Sequence, residues 1–243
     1  MKGIILAGGL GTRLHPLTRI TNKHLLPVYD KPMIYYPIEM LVKAGIKDIM
    51  VITGGSNSGD FLRLLGNGRE FGLSHLHYGY QEGEGGIADA LKLCEDFVGK
   101  DKMIVALGDN IIEKNIRKET AAFKRQKKGA RVILTEVKNP SEYGIAVVSG
   151  GRITSIFEKP KKPKSNLAVT GIYFYPNEVF SIIKTLKPSK RGELEITDVN
   201  NGFLSKNQLE YSVLEGWWQD SGESKDALLE TNLLVKKSGA NKD

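Results

Sequence analysis

Two cations, Arg13 and Lys23, stand ten residues apart near the start of the chain, just beyond an apolar run, Ile4 to Ala7, that gives way to Gly8, Gly9 and Gly11. Glycines let the backbone approach a ligand closely and adopt positive φ, so that N–H groups can point at phosphate oxygens. Arginine forks across such oxygens, and lysine supplies a mobile point charge that neutralises what backbone dipoles leave over. The combination reads as a phosphate site. Two familiar phosphate motifs do not fit it: the dinucleotide fingerprint needs a glycine where Leu14 stands, and the P-loop needs Gly-Lys-Ser/Thr, which is absent. A lone Gly-x-Gly after a strand is otherwise turn punctuation, but the added cations and the apolar Leu25 to Val28 run shift the reading toward a nucleotide.

Those residues need a frame. Ile4 to Ala7 reads as a buried strand, MIYYPIEMLVKAGI as a helix stopped by Gly45, and IKDIMVITGG as a second strand, together a right-handed βαβ unit. HLHYGYQ supplies a third strand with His75 and His77 on one face; with no third ligand nearby, packing explains them better than metal. QEGEGGIADALKLCEDFV places a glycine-rich bend before one amphipathic helix, and KMIVALGDN is a fourth strand. Ligands of open parallel sheets bind outside the carboxyl ends of strands, which is where Gly8 to Arg13, Gln81 to Gly86 and Asp109 fall.

The second half changes character. A charged helix from about Lys114 to Lys127 precedes the strand ARVILTEV, and a hairpin turns at Gly150 and Gly151. LAVTGIYFYP is a strand, NEVFSIIKTL a helix with Asn177 as its cap, RGELEITDVNNGFLSKN a helix, LEYSVLEG a strand, and WWQDSG a turn into the last helix. The tail SGANKD is expected to fray. The result is an α/β fold, a three-layer α/β/α sandwich around a Rossmann-like, mixed, mostly parallel sheet. Residues 1–243 are expected to form one domain.

Length and composition agree with one large domain: 243 residues, 40% of them hydrophobic, are enough for a substantial core. Cys94, the single cysteine, excludes an intramolecular disulfide and reads as a core-facing helical residue rather than a catalytic thiol. No apolar run approaches the roughly 20 residues of a membrane span, so a soluble, cytoplasmic protein without a membrane partner is expected. The net charge of +7 comes from scattered lysines with small clusters at Lys124–Lys128 and Lys159–Lys164, which suits small anionic substrates or a solvated surface better than nucleic acid. A homo-oligomer is expected.

GGLGTRLHPLT, Lys23, LLPV and KPMIYYP, running almost unbroken through the first 37 residues, resemble the signature of the sugar nucleotidyltransferases, in particular the branch that transfers a thymidylyl group to glucose 1-phosphate. The resemblance implies a reaction between dTTP and glucose 1-phosphate that yields dTDP-glucose and pyrophosphate with Mg2+ as cofactor, feeding deoxysugar synthesis such as that of dTDP-rhamnose. It implies that Arg13 and Lys23 are catalytic, and that Leu6, Gly8, Gly9, Gly11, Thr12, Arg13, Gln81, Gly86 and Asp109 bind the nucleotide. Gln81 would donate to one pyrimidine carbonyl and accept from N3–H. The resemblance also implies that 1–110 are mainly nucleotide-binding and 111–235 mainly sugar-phosphate-binding. Gly144, Glu158, Lys159, Val169 and Arg191 would bind the sugar phosphate, and Asp109 in LGDN and Asp220 in WWQDSG would hold the metal. In isolation an Asp at a strand end is most often a turn former or helix cap. UTP or another hexose 1-phosphate is the alternative within this chemistry, and a non-catalytic nucleotide-sugar sensor the alternative outside it. The chain stops soon after the helix following Asp220, whereas longer family members continue into a regulatory site; weaker or absent feedback by product is therefore an expectation.

Overall fold

Alternation along one strand explains the layers. In the computed structural model, which describes residues 1–243, β1 (Lys2–Ala7) is buried from Gly3 to Ala7. Ile4 and Leu6 point to one apolar cluster and Ile5 and Ala7 to another on the opposite face. A strand covered on both faces must be apolar throughout, which is why the run reads as continuous rather than alternating.

The remaining elements follow in order: β2 (Pro27–Val28), β3 (Lys31–Pro32), α1 (Tyr35–Lys43), β4 (Asp48–Gly54), α2 (Ser58–Leu65), β5 (His75–Gln81), α3 (Ile87–Lys92), α4 (Glu95–Val98), β6 (Met103–Leu107), β7 (Asn110–Ile112), α5 (Arg117–Arg125), β8 (Ala130–Glu136), β9 (Gly144–Ser149), β10 (Arg152–Glu158), β11 (Leu167–Tyr175), α6 (Val179–Ile183), α7 (Ile196–Leu204), β12 (Leu209–Val213), β13 (Trp218–Asp220) and α8 (Lys225–Ser238). The main path of the sheet runs β5-β4-β1-β6-β11-β8-β12. Every neighbour is parallel except at β11, which is antiparallel to both β6 and β8. The β9–β10 hairpin attaches beside the amino end of β11 through Ala168 and Ile145. Helices α1, α2 and α5 cover one face, while α3, α6 and α7 cover the other. The sandwich is the expected one, mixed and mostly parallel. β1 lies where the strand order reverses, with β4 on one side and β6 on the other, the position at which doubly wound sheets open a crevice at their carboxyl ends.

Four local expectations are corrected. The helix expected across ADALKLCEDFV is two, α3 and α4, separated at Leu93 and Cys94, with Cys94 still fully buried. The charged helix is shorter than Lys114–Lys127, because Asn115 caps it from outside by accepting the Arg117 N–H at 2.9 Å. Asn177 does not cap α6; its side chain donates to the Gly99 carbonyl instead. The tail does not fray. Asn241 N–H donates to Ile112 O at 2.9 Å, its side-chain amide donates to Tyr36 O at 2.9 Å, and Lys242 N–H donates to Glu113 O at 2.7 Å, leaving Asn241 1% exposed. No helix is long and apolar enough to cross a membrane.

Candidate active site

The glycine turn after β1 places a backbone edge against Lys23. Gly11 takes a left-handed conformation, φ 68°, and a Cβ there would lie 2.8 Å from Lys23 Cβ, so glycine is required both for the turn and for the approach. Thr12 and Arg13 follow in a single 3-10 turn, with both side chains exposed at the edge of the cleft. Lys23 opens a second 3-10 turn, held by Asn22, whose Oδ1 accepts the His24 N–H at 3.0 Å and lies 2.7 Å from His24 Nδ1. The His24 ring is 2% exposed, and burial followed by the Lys23 charge pushes it down to about 3, so it stays neutral and acts as a wedge beneath the turn.

Asp220 reaches the site through a pairing that spans half the chain. β7 and β13 form an antiparallel ribbon that sets Asp220 opposite Asn110, and Ser221 N–H donates to Asp109 O at 2.9 Å. Asp109, immediately after the carboxyl end of β6, lies 2.5 Å from Lys23 Nζ. Gly222 closes this knot: a Cβ there would sit 2.8 Å from Lys23 Nζ. Asn110 ties both strands to the sheet. Its Oδ1 accepts from Gly171 N–H at 2.9 Å and from Trp218 Nε1 at 2.7 Å, while its Nδ2 donates to Asp109 Oδ1 at 3.1 Å.

Charge is distributed unevenly here. Burial works against Lys23, but Asp109 and then Asp220 outweigh it and hold the ammonium charged. Burial works against Asp109 too, yet the Lys23 ammonium keeps its carboxyl well below the usual range. Asp220 lacks such a partner. Burial and then the Asp109 charge push it up to about 7, with Lys23 and the Gly222 N–H pulling weakly the other way. A buried and a half-buried carboxylate share one ammonium, and a further cation beside them would relieve both. Two carboxylates suit a hard divalent cation that fills the rest of its coordination with other oxygen ligands and water. No group of three or more His, Cys, Asp or Glu residues forms a closed metal cage, so a site shared with substrate fits better than a structural one.

Two adjoining cavities flank this knot. One, about 320 Å3, is lined by Leu6, Gly8, Gln81, Gly86 and Asp109 among others. The second, about 390 Å3, takes in Gly11, Thr12, Arg13, Gly144, Glu158, Lys159, Val169 and Arg191. Gly9, Lys23 and Asp220 line both. Every residue expected at the site therefore faces one continuous cleft, although their positions alone assign no roles.

Some of those side chains are engaged in ways the sequence does not disclose. Arg191 lies 2.8 Å from Glu195, 3.5 Å from Glu193 and 3.7 Å from Glu158, three carboxylates sharing one guanidinium. Glu158 Oε2 also accepts from Thr197 Oγ1 at 2.5 Å. The two N–H bonds of the Gln81 amide are both spent inside the protein, on Gly86 O at 3.2 Å and Asp89 Oδ2 at 2.9 Å. The expected donation to a pyrimidine carbonyl is thus not available in this arrangement; acceptance by Oε1 is.

Residues that sequence reasoning passed over include Asn110, Thr197, Trp218 and Asn200. Asn200 is 1% exposed and lines the larger cavity; its Oδ1 accepts from Tyr175 OH at 2.6 Å while its Nδ2 has no partner. Asn110 sits inside the LGDN run already singled out, so that signal was present. Thr197 and Asn200 gave none, because each is defined by a partner far away in the chain.

A nucleotidyl transferase family model matches residues 2–238. The glucose-1-phosphate thymidylyltransferase of Neisseria meningitidis serogroup A is 48% identical over 229 residues, 91% of this chain and 78% of the relative. Among solved structures, a Bacillus anthracis chain provisionally assigned as a glucose-1-phosphate thymidylyltransferase, crystallised with sucrose, superposes with a TM-score of 0.93 at 52% identity, covering 97% of this chain and 95% of that one. A UDP-glucose pyrophosphorylase complexed with UDP-glucose superposes with a TM-score of 0.83 at 25% identity, covering 97% and 98%.

Proposed function

The chain belongs to the nucleotidyl transferase family of enzymes, and we propose that it transfers a thymidylyl group from dTTP to glucose 1-phosphate, giving dTDP-glucose and pyrophosphate. One observation carries this reading. Asp109 and Asp220, from segments 111 residues apart, meet Lys23 at the junction of two cavities, one beside Gln81 and the glycine turn, the other among Glu158, Lys159 and Arg191. A cleft in two compartments with cations at the waist suits two anionic substrates meeting at a phosphorus.

In the reaction, an oxygen of the sugar phosphate forms a bond to the α-phosphorus of dTTP, the bond from that phosphorus to the β-bridging oxygen breaks, and pyrophosphate leaves with the electron pair. A phosphate dianion is already nucleophilic near neutral pH, so no side-chain base is required. The chain contributes position and charge. The glycine turn from Gly8 to Gly11 offers N–H groups to the triphosphate, and Arg13 forks across its oxygens. Lys23, held charged between Asp109 and Asp220, faces negative charge as it develops on the departing group. Asp109 and Asp220 would hold Mg2+, which when bound polarises the α-phosphoryl group and offsets its charge. On the sugar side Glu158, fixed by Thr197 and Arg191, accepts from hexose hydroxyls, and Lys159 pairs with the sugar phosphate. Residues 1–110 thus serve mainly the nucleotide and 111–235 mainly the sugar phosphate, with Asp220 crossing between them.

UTP in place of dTTP is a second reading, favoured by the Oε1 acceptor of Gln81, which suits the N3–H of uracil as well as that of thymine. Incubation with the common triphosphates and several sugar 1-phosphates, with products identified by mass, tests both. dTDP-glucose as the dominant product is expected; a dominant nucleotide sugar with another base, or no sugar nucleotide at all, overturns the assignment.

A further inference from the structure

We propose that Asp89 is a positioning residue that decides which pyrimidine the site accepts, by locking the Gln81 amide with its oxygen toward the base. The proposal rests on the reading of the Gln81 end of the cleft as the place of the nucleotide base. Gln81 ends β5 and is 7% exposed. A primary amide carries two N–H bonds and one acceptor oxygen. Both N–H bonds are committed on one side, to Asp89 Oδ2 at 2.9 Å and Gly86 O at 3.2 Å. Half a turn of the amide would set Oε1 against a carboxylate and a carbonyl, acceptor facing acceptors, so the polarity of the side chain is determined by these two neighbours.

The other side of the amide is therefore an acceptor. Oε1 lies beside the glycine turn, where a Cβ on Gly8 would be 2.9 Å from it, and Gln81 and Gly8 line the same cavity with Leu6 and Gly86. Thymine and uracil present a donor at N3, whereas cytosine presents an acceptor there. A fixed acceptor pairs with the first two and leaves two lone pairs opposed for the third, which is the more discriminating arrangement because a buried polar group is left unmatched. Asp89 contributes the stronger half of the lock: its bond to Gln81 is charge-assisted, whereas the bond to Gly86 O is longer and neutral. Without the carboxylate, turning the amide forfeits only the neutral bond, and Nε2 can then be offered to cytosine N3. Asp89 touches neither base nor phosphate in this scheme; it acts through Gln81.

The test is kcat/KM for dTTP, UTP and dCTP, each with glucose 1-phosphate, in wild type, Asp89→Leu and Asp89→Asn. Wild type is expected to prefer dTTP strongly over dCTP. Asp89→Leu should lower the dTTP to dCTP ratio by about tenfold or more, the scale of one charge-assisted hydrogen bond, and leave the dTTP to UTP ratio unchanged, since both bases carry N3–H. Asp89→Asn loses the charge and can turn its own amide to offer Gln81 either an acceptor or a donor, so its ratio should fall between those of wild type and Asp89→Leu. Asp89→Ala replaces the leucine variant should that one not fold. Equal losses on all three triphosphates, with ratios unchanged, mean a structural role only and overturn the proposal, as does a wild type that uses dCTP as readily as dTTP while still making sugar nucleotide. If wild type forms no sugar nucleotide from any triphosphate, the functional reading itself fails and the proposal falls with it.

Discussion

Replacing Asp220 by Asn should make the metal-free protein more stable while making it a poorer enzyme. Asp220 is an ionisable group that the fold holds at a cost. Its carboxyl ordinarily titrates at 3.8 and inside the fold is pushed up to about 7, by burial first and by Asp109 second. Each pH unit by which the folded-state value exceeds the ordinary one penalises the folded state by about 1.4 kcal/mol, so wild type carries a penalty on the order of a few kcal/mol at pH 8. The sign follows from which state loses its proton first. Below 3.8 the group is neutral in both states and carries no penalty; as pH rises toward 7 the unfolded chain ionises first, and stability falls; above 7 the loss is complete. Asparagine removes the charge but keeps an oxygen for the Gly222 N–H, which reaches Asp220 Oδ1 at 3.1 Å, so the ribbon with Asn110 is undisturbed. Thermal unfolding in chelator, wild type against Asp220→Asn from pH 4.5 to 8, should show a gap of about 1 kcal/mol at the acid end that widens to a few kcal/mol at pH 8, about 4 to 16 °C on the basis of roughly 2 to 4 °C per kcal/mol for a domain of this size. Added Mg2+ with dTTP should raise the wild-type midpoint more than that of the variant, which keeps the other nucleotide contacts but has one metal-holding carboxylate fewer. Equal midpoints at pH 8, or a gap independent of pH, would refute the electrostatic reasoning.

Other consequences are more local. Arg13→Lys keeps the charge but loses the fork, and should lower kcat/KM for the triphosphate by about tenfold, with Arg13→Ala nearer a hundredfold, in a pyrophosphate-release assay. Asn110→Ala strands the Gly171 N–H and the Trp218 indole N–H together, which should cost about 2 to 4 kcal/mol in denaturant unfolding; retention of wild-type stability would show that the amide does not bind the ribbon to the sheet. Thr197→Val frees Glu158 from its hydroxyl donor and should raise KM for glucose 1-phosphate by roughly tenfold without moving KM for dTTP, a split that initial-rate kinetics would show.

The sequence disclosed most where the structure is local. The apolar runs of β1, β4 and β6, the glycine stop at Gly45 and the hairpin turn at Gly150 and Gly151 all follow from residue types within a few positions of each other. The ribbon that delivers Asp220 does not. β7 and β13 are three residues each, too short to show a period, and exist because each satisfies the other's backbone. The ordered tail is similar: SGANKD has the composition of a frayed end, yet its backbone bonds to Ile112 and Glu113. Asp109 and Asp220 were individually visible as acids near glycines, but the imbalance between them depends on burial and on which one Lys23 reaches. Arg191 lay between signals: RGELE holds two of its carboxylates, Glu193 and Glu195, two and four residues on, whereas Glu158 arrives from the hairpin. The direction in which Gln81 presents its amide was not legible, because it is determined by Asp89 and the Gly86 carbonyl across a glycine bend.

The central claim is that Asp109, paired with Lys23 and facing Asp220, lies where the α-phosphorus reacts. Pyrophosphate release from dTTP and glucose 1-phosphate by Asp109→Asn, a variant that preserves shape and removes only charge, tests it most directly. The account predicts a fall in kcat of about a thousandfold or more, the scale of losing a preorganised charge at a reacting centre, in a protein whose fold is retained by circular dichroism. A variant that folds and turns over within tenfold of wild type would contradict it.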